Sequence, residues 1–239
     1  MSTKNVFIAG GTGYIGRVLI PVLLKRGHEV RALVRRGSEH KLPSGCEAVI
    51  GDALDGSTFM DCVKPSDTFV QLIGVPHPSP SKAAQFQSID LASVKAAVSA
   101  AAQAGVKHFV YVSVAQPAPV MKAYQAVRAE GERLIRDCGL NATIIRPWYV
   151  LGPGHRWAYT LLPIYWLFER LPGTRDTARR LGLVTLDEMV AALAQAVDAP
   201  GDGIRIYDVP SIRRLARVRA GASEGDAESR FAATTETNQ

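Results

Sequence analysis

A chain of 239 residues, 47% hydrophobic and 21% charged, is long enough to bury one substantial core and falls within the size range of a single α/β domain. Its three cysteines, Cys46, Cys62 and Cys138, are odd in number and include no C-x-x-C pair. That argues against a disulfide framework or a zinc site and favours a reducing, cytoplasmic compartment. The net charge of +6 draws on a late cluster (Arg175, Arg179, Arg180, Arg205, Arg213, Arg214, Arg217 and Arg219) that no helix-turn-helix, zinc-finger or aromatic-interleaved pattern accompanies, so it reads as a solvated face and not as a nucleic-acid interface.

In chain order, short β-branched or aromatic runs alternate with longer helical patterns, the signature of repeated βαβ units. The N-terminal Met-Ser-Thr-Lys-Asn enters an apolar run at once, so no secretory leader is expected. Strands are predicted at 5–9, 29–34, 47–50, 68–73, 108–113, 143–146 and 204–209. Helices are predicted at 13–25, 88–104, 122–137 and 186–197. Gly27, Gly105 and Gly139 stand where left-handed C-terminal caps belong, and Thr185 with Glu188 forms a capping box at the start of the last helix. Pro21 falls inside the first helix, which is therefore expected to bend or restart there. The fold class is α/β: a doubly wound, mostly parallel sheet of about seven strands with helices on both faces. Residues 1–215 form this domain, residues 152–185 are expected to build a small substrate lobe within it, and residues 216–239 read as a disordered tail.

The segment Val6-Phe7-Ile8-Ala9-Gly10-Gly11-Thr12-Gly13-Tyr14-Ile15-Gly16 runs a strand directly into a Gly-x-x-Gly-x-x-Gly turn and then a helix. That spacing suits a dinucleotide: Gly10 permits the tight turn, Gly13 lets backbone approach a pyrophosphate, and Gly16 lets helix pack against strand. The helix N-terminus adds free amides and a positive dipole end. Where an NAD-preferring site would place an acid on the ribose 2′-hydroxyl, the second strand ends in Arg35 and Arg36. Guanidinium there favours a 2′-phosphate, hence NADP over NAD, although both arginines also fit an ordinary solvated strand end.

Together with Gly51-Asp52, Tyr111-Val112-Ser113 and Arg146-Pro147-Trp148-Tyr149-Val150-Leu151-Gly152-Pro153-Gly154, these residues resemble the extended and atypical short-chain dehydrogenase/reductase superfamily of Rossmann-fold proteins over roughly residues 4 to 210. The likeness is to the group that includes NmrA-like redox sensors, NAD-dependent epimerases and the nucleotide-binding accessory subunit of respiratory complex I. It implies an NAD(P)-binding site formed by Gly10, Thr12, Gly13, Tyr14, Ile15, Gly16, Arg35, Arg36, Asp52, Ala53, Ile73, Gly74, Arg128 and Pro147. Asp52 would meet the adenine amino group, and Ile73-Gly74 the adenosine ribose; a carboxylate that merely stabilises its loop is the other reading of Asp52. The resemblance also implies a catalytic serine, matched by Ser113, and a tyrosine four residues before a lysine. Here Tyr124 precedes Arg128, so the motif reads Tyr-x-x-x-Arg. Arginine can hold a ribose and bias a tyrosine electrostatically, but it cannot relay a proton. Two functions stay open: an NADPH-dependent oxidoreductase using Ser113, Tyr124 and Arg128, and a non-catalytic NADPH-binding sensor or assembly protein.

Residues 157–168 are dense in aromatic and aliphatic side chains, too short and proline-broken to span a membrane. They read as a hydrophobic substrate wall, a docking surface for a partner or membrane face, or a core helix of the lobe. The loop at 76–81 reads as a cover for the nicotinamide or as passive surface. His155 and the other histidines show no ligand spacing, so no metal is expected.

Overall fold

The computed structural model describes residues 2–153 and 180–217. Seven strands form one parallel sheet: β1 (Asn5–Ala9), β2 (Glu29–Val34), β3 (Glu47–Ile50), β4 (Thr68–Gln71), β5 (His108–Val112), β6 (Ala142–Ile145) and β9 (Ile204–Tyr207), in the spatial order β3-β2-β1-β4-β5-β6-β9. The central strands are apolar on both sides because both faces are covered. Along β1, Val6 and Ile8 turn to one layer while Phe7 and Ala9 turn to the other, as a period of two requires.

The first layer joins α1 (Gly16–Lys25) and α6 (Leu186–Asp198) to the sheet through Leu19, Ile20, Leu23, Met189 and Leu193. The second carries α4 (Ala92–Ala104) and α5 (Lys122–Asp137), over a ladder of Phe7, Phe69 and Phe109 whose neighbouring rings lie 5.1 and 5.3 Å apart. Each such ring pair adds about 1 kcal/mol beyond its buried area. Two single-turn helices, α2 (Met60–Val63) and α3 (Ala83–Gln85), complete this side.

Several boundaries differ from the sequence prediction. The fourth, fifth, sixth and seventh strands end one or two residues early, and beyond the fourth the Ile73 carbonyl accepts from Arg128 and not from a neighbouring strand. Pro21 neither breaks nor restarts α1, which is continuous from Gly16 to Lys25. Pro21 and Arg17, whose carbonyl loses its partner, both lie on the exposed face, where water can replace the missing bond. The second predicted helix opens as a π-turn at Phe86–Leu91 before α4 begins. The capping box forms as expected, with Thr185 Oγ1 accepting from the Glu188 amide and the Glu188 carboxylate accepting from the Thr185 amide.

Two features went unread in the sequence. A parallel pair, β7 (Tyr149–Leu151) with β8 (Leu183–Thr185), brackets the substrate-lobe segment, and a helix spans 209–217 with Ile212 fully buried. That helix places Ala216 and Arg217 in regular structure, where the tail had been expected to begin. Residues 154–179, including the aromatic run at 157–168 and His155, and residues 218–239 lie outside the described residues. No helix among the described residues is long and apolar enough to cross a membrane.

Candidate functional site

Parallel pairing brings all the C-terminal strand ends to one edge of the sheet, and the chain reverses its spatial order between β1 and β4. Ligands of open α/β sheets bind in the crevice at that reversal. Gly10 follows β1, Arg35 and Arg36 follow β2, Asp52 and Ala53 follow β3, Ile73 and Gly74 follow β4, Ser113 follows β5, and Pro147 follows β6. The predicted residues, scattered over more than a hundred positions, thus share one edge.

The glycine turn has the geometry a diphosphate needs. Gly10 has φ +94° and lies so close to the Leu72 backbone that a Cβ there would come within 3.1 Å of it. A Cβ on Gly16 would be driven into the carbonyl of Gly10 and the backbone of Gly11, so this glycine seats α1 against the strand. Gly13 is exposed, and a Cβ there would meet only the Gly10 carbonyl, at 3.1 Å, leaving its remaining approach open. Helix α1 begins with no side-chain cap and no acidic residue in its first turn, so no side chain offsets the positive end of its dipole, although the Arg17 and Val18 amides already donate to the Gly13 and Ile15 carbonyls. Tyr14 and Ile15 pack against the first core layer; Tyr14 also fills the space a Cβ on Gly152 would need. These residues fit a dinucleotide: backbone of Gly10 to Gly13 and the head of α1 would hold its diphosphate.

Arg35 and Arg36 are exposed and form no ion pair among the described residues. Arg36 helps hold the Glu39 carboxyl below its ordinary value, after the hydrogen bonds from the Glu39 and Gly37 backbone. Asp52 is exposed, and its Oδ1 accepts from the Leu54 amide at 2.9 Å, so its carboxylate steadies its own turn. Ala53 packs on the second core layer, and Pro147 is buried, its carbonyl accepting from the Ala115 amide at 2.9 Å.

Helix α5 supplies Tyr124 and Arg128 on the face that also buries Val127, Gly131 and Ile135. Gly131 lets the helix ride against Tyr111, whose ring a Cβ would strike. At that separation the Arg128 side chain, 5% exposed, reaches the strand ends. It donates to Asp90 Oδ1 at 2.6 Å, to the Val112 carbonyl at 2.9 Å and to the Ile73 carbonyl at 3.5 Å. Its guanidinium carbon also lies 5.1 Å from the Tyr124 ring centre and 5.8 Å from that of Tyr111. Burial opposes the charge on Arg128, but Tyr124, Tyr111 and Asp90 outweigh it and raise its pKa above the ordinary guanidinium value. Burial also raises the Asp90 carboxyl, with Arg128 beside it pulling the other way. Tyr124 is half-buried, its ring 5.0 Å from that of Phe86.

Ser113 is buried, and its Oγ donates to Glu132 Oε1 at 2.7 Å. Glu132 also accepts from Gln116 at 3.0 Å, from Arg146 through Nε at 2.9 Å and Nη2 at 2.5 Å, and from Arg136 at 3.2 Å. Burial alone would raise the Glu132 carboxyl; the bonds from Arg146 and Ser113 hold it below the usual range. Asp90, Glu132 and Gln116 were not singled out in the sequence. The available signal was an arginine and a glutamate on the buried face of one helix, each needing a partner.

The sheet order, the glycine turn at its reversal and the open head of α1 define a dinucleotide-binding Rossmann protein. The chain belongs to the NAD(P)H-binding family, whose pattern matches residues 10–160. It is similar to the ceramide reductase of Caulobacter vibrioides, 26% identical over 211 residues that cover 87% of this chain and 65% of that protein. It is similar also to a 3-diazoavenalumate denitrifying reductase of a Streptomyces species, 29% identical over 228 residues that cover 83% of this chain and 74% of that protein. Among solved structures, the Bordetella bronchiseptica enzyme WbmH in complex with NAD+ superposes with a TM-score of 0.65 at 22% identity, covering 92% of this chain and 82% of that one. That likeness is one of fold. The chain therefore spans slightly less than two thirds of the ceramide reductase's length.

Proposed function

We propose that the protein is an NADPH-dependent oxidoreductase of the atypical short-chain type, reducing the carbonyl of an apolar or sugar-derived compound. The observation that carries this reading is the exposed Arg35-Arg36 pair after β2, on the same sheet edge as the glycine turn and with no acid in the ribose position. Guanidinium forks match a 2′-phosphate bidentately. The two reductases to which the chain is similar support a reductive role.

When bound, the nicotinamide supplies the hydride. The chain's part is to hold the diphosphate at the glycine turn, to keep water from the strand ends and to deliver a proton. Tyr124 is the proton donor in this reading, its half-buried ring fixed between Phe86 and the Arg128 guanidinium. Arg128 acts on Tyr124 as a fixed positive charge. Its hydrogen bonds to Asp90, Val112 and Ile73 anchor it at the ends of β4 and β5. Ser113 commits its hydroxyl hydrogen to a bond with Glu132, so toward a substrate its oxygen acts as an acceptor.

The same anchoring favours a second reading, in which the protein binds NADPH without turnover and presents a surface to another protein. Loss of NADPH absorbance with a panel of aldehydes, ketones and quinones separates the two. Reduction of at least one of them, abolished in Tyr124→Phe, supports the enzyme; unchanged turnover in that variant removes Tyr124 from the chemistry. NADPH binding without consumption across the panel leaves the binding protein.

A further inference from the structure

Beyond Ser113, a cleft of about 370 Å³ opens at the ends of β5, β6 and β9, lined by Ala115, Gln116, Arg146, Arg180, Asp208 and Pro210 among others. Its wall is continuous with the serine: Gln116 and Arg146 both hold Glu132, the carboxylate to which Ser113 donates. Arg146 commits Nε and Nη2 to Glu132, which fixes the plane of its guanidinium; the Nη1 edge remains, on a side chain 22% exposed. Arg180 makes no hydrogen bond or ion pair with the described residues, and its Nε is buried without an acceptor among them. A buried donor left unsatisfied is unfavourable, so such a group marks a place where a ligand acceptor is favoured.

The lining carries one opposing charge. Asp208 accepts from the Ser211 amide at 2.9 Å at the head of the 209–217 helix, so its carboxylate is matched to that N-terminus. Arg180 is held in place by its neighbour Leu181, which packs with Ala115, Ala118 and Trp148. Two guanidiniums therefore face one cleft, one oriented by a buried carboxylate and the other without a partner among the described residues.

We propose that this cleft is an oxyanion subsite and that the substrate carries a carboxylate or phosphoryl group, seated between Arg146 and Arg180. The inference rests on the oxidoreductase reading, for it assigns the cleft to that enzyme's substrate. Guanidinium suits either group because its paired N–H donors match two oxygens of one anion.

The test is calorimetric titration of inorganic phosphate and, separately, acetate into the full chain already saturated with NADPH, so that the glycine turn is occupied. Saturable binding of at least one anion is expected, weakened tenfold or more in Arg180→Gln. Arg146→Lys, which keeps a cation opposite Glu132, is expected to weaken it as well. Tighter phosphate identifies a phosphoryl-bearing substrate, tighter acetate a carboxylate. Absence of saturable binding, or unchanged affinity in both variants, overturns the subsite. Failure of the underlying cofactor reading shows itself earlier and separately, as no NADPH binding before any anion is added.

Discussion

The guanidinium of Arg128 occupies the space that a side chain at residue 74 would need: a Cβ on Gly74 would be built into Nη2 of Arg128 and would lie 3.3 Å from Asp90 Oδ1. Glycine at 74 and arginine at 128 are thus one structural requirement. Gly74→Ala is expected to destabilise the fold by about 1–3 kcal/mol, since the buried guanidinium must shift off Asp90. In an Arg128→Met background the same alanine is expected to cost less, and urea unfolding of the four proteins measures the coupling. Equal costs in both backgrounds would show that the two sites do not compete for space.

The Asp90–Arg128 pair joins the π-turn before α4 to α5 across the strand ends. Asp90→Asn leaves a buried guanidinium without its counter-charge and is expected to cost about 3–5 kcal/mol. The double variant Asp90→Leu with Arg128→Met is expected to be more stable than the sum of its single losses, because neither charge is then stranded. Midpoints from chemical denaturation check both.

The glycine turn separates folding from binding. Gly16→Ala drives a Cβ into Gly10 and Gly11 and is expected to lower the melting temperature. Gly13→Ala meets only the Gly10 carbonyl at 3.1 Å, so the fold is expected to be nearly unchanged while dinucleotide affinity falls tenfold or more. Thermal melts and cofactor titrations of the two variants, read side by side, decide this.

His108 is buried, with Nε2 3.0 Å from Thr143 Oγ1, and burial followed by the charges of Arg205 and Lys4 lowers its pKa to about 4. Its folded value lies below its unfolded one, so the unfolded chain takes up the proton first as the solution is acidified. Stability from this group is complete above about pH 6.5 and is lost as pH falls toward 4, on the order of 3 kcal/mol in all. Glu132, held below its ordinary value, adds a loss beginning lower, as pH falls through the carboxylate range. His108→Gln is expected to flatten the decline between pH 6.5 and 4 in denaturant midpoints, and an unaltered slope would assign that decline elsewhere.

What was legible in the sequence was local. The turn from Gly10 to Gly16 carries its chemistry within seven residues, and the capping box at Thr185 within four. The strands around them followed from apolar runs, although Leu72 and Ile73 extended the fourth one falsely. Both are apolar because they pack on the two core layers, while the Ile73 carbonyl serves Arg128 and not the sheet. The partners of Arg128 and Glu132 were not legible: Asp90 is 38 positions from Arg128, and Arg146 is 14 from Glu132. Helical spacing puts Arg128 and Glu132 next to each other, and only the packing of α5 over the strand ends sends each to a different partner. Strands as short as β7 and β8, three residues each, leave too little periodicity to read.

The central claim is that the mouth of the first βα crossover holds the diphosphate of a nicotinamide dinucleotide, with Arg35 and Arg36 selecting the phosphorylated form. Titrating NADPH and NADH into the purified chain by calorimetry tests it most directly. Saturable one-to-one binding of both, with NADPH the tighter, is the predicted result. No saturable binding of either nucleotide, or NADH bound the tighter, would contradict it.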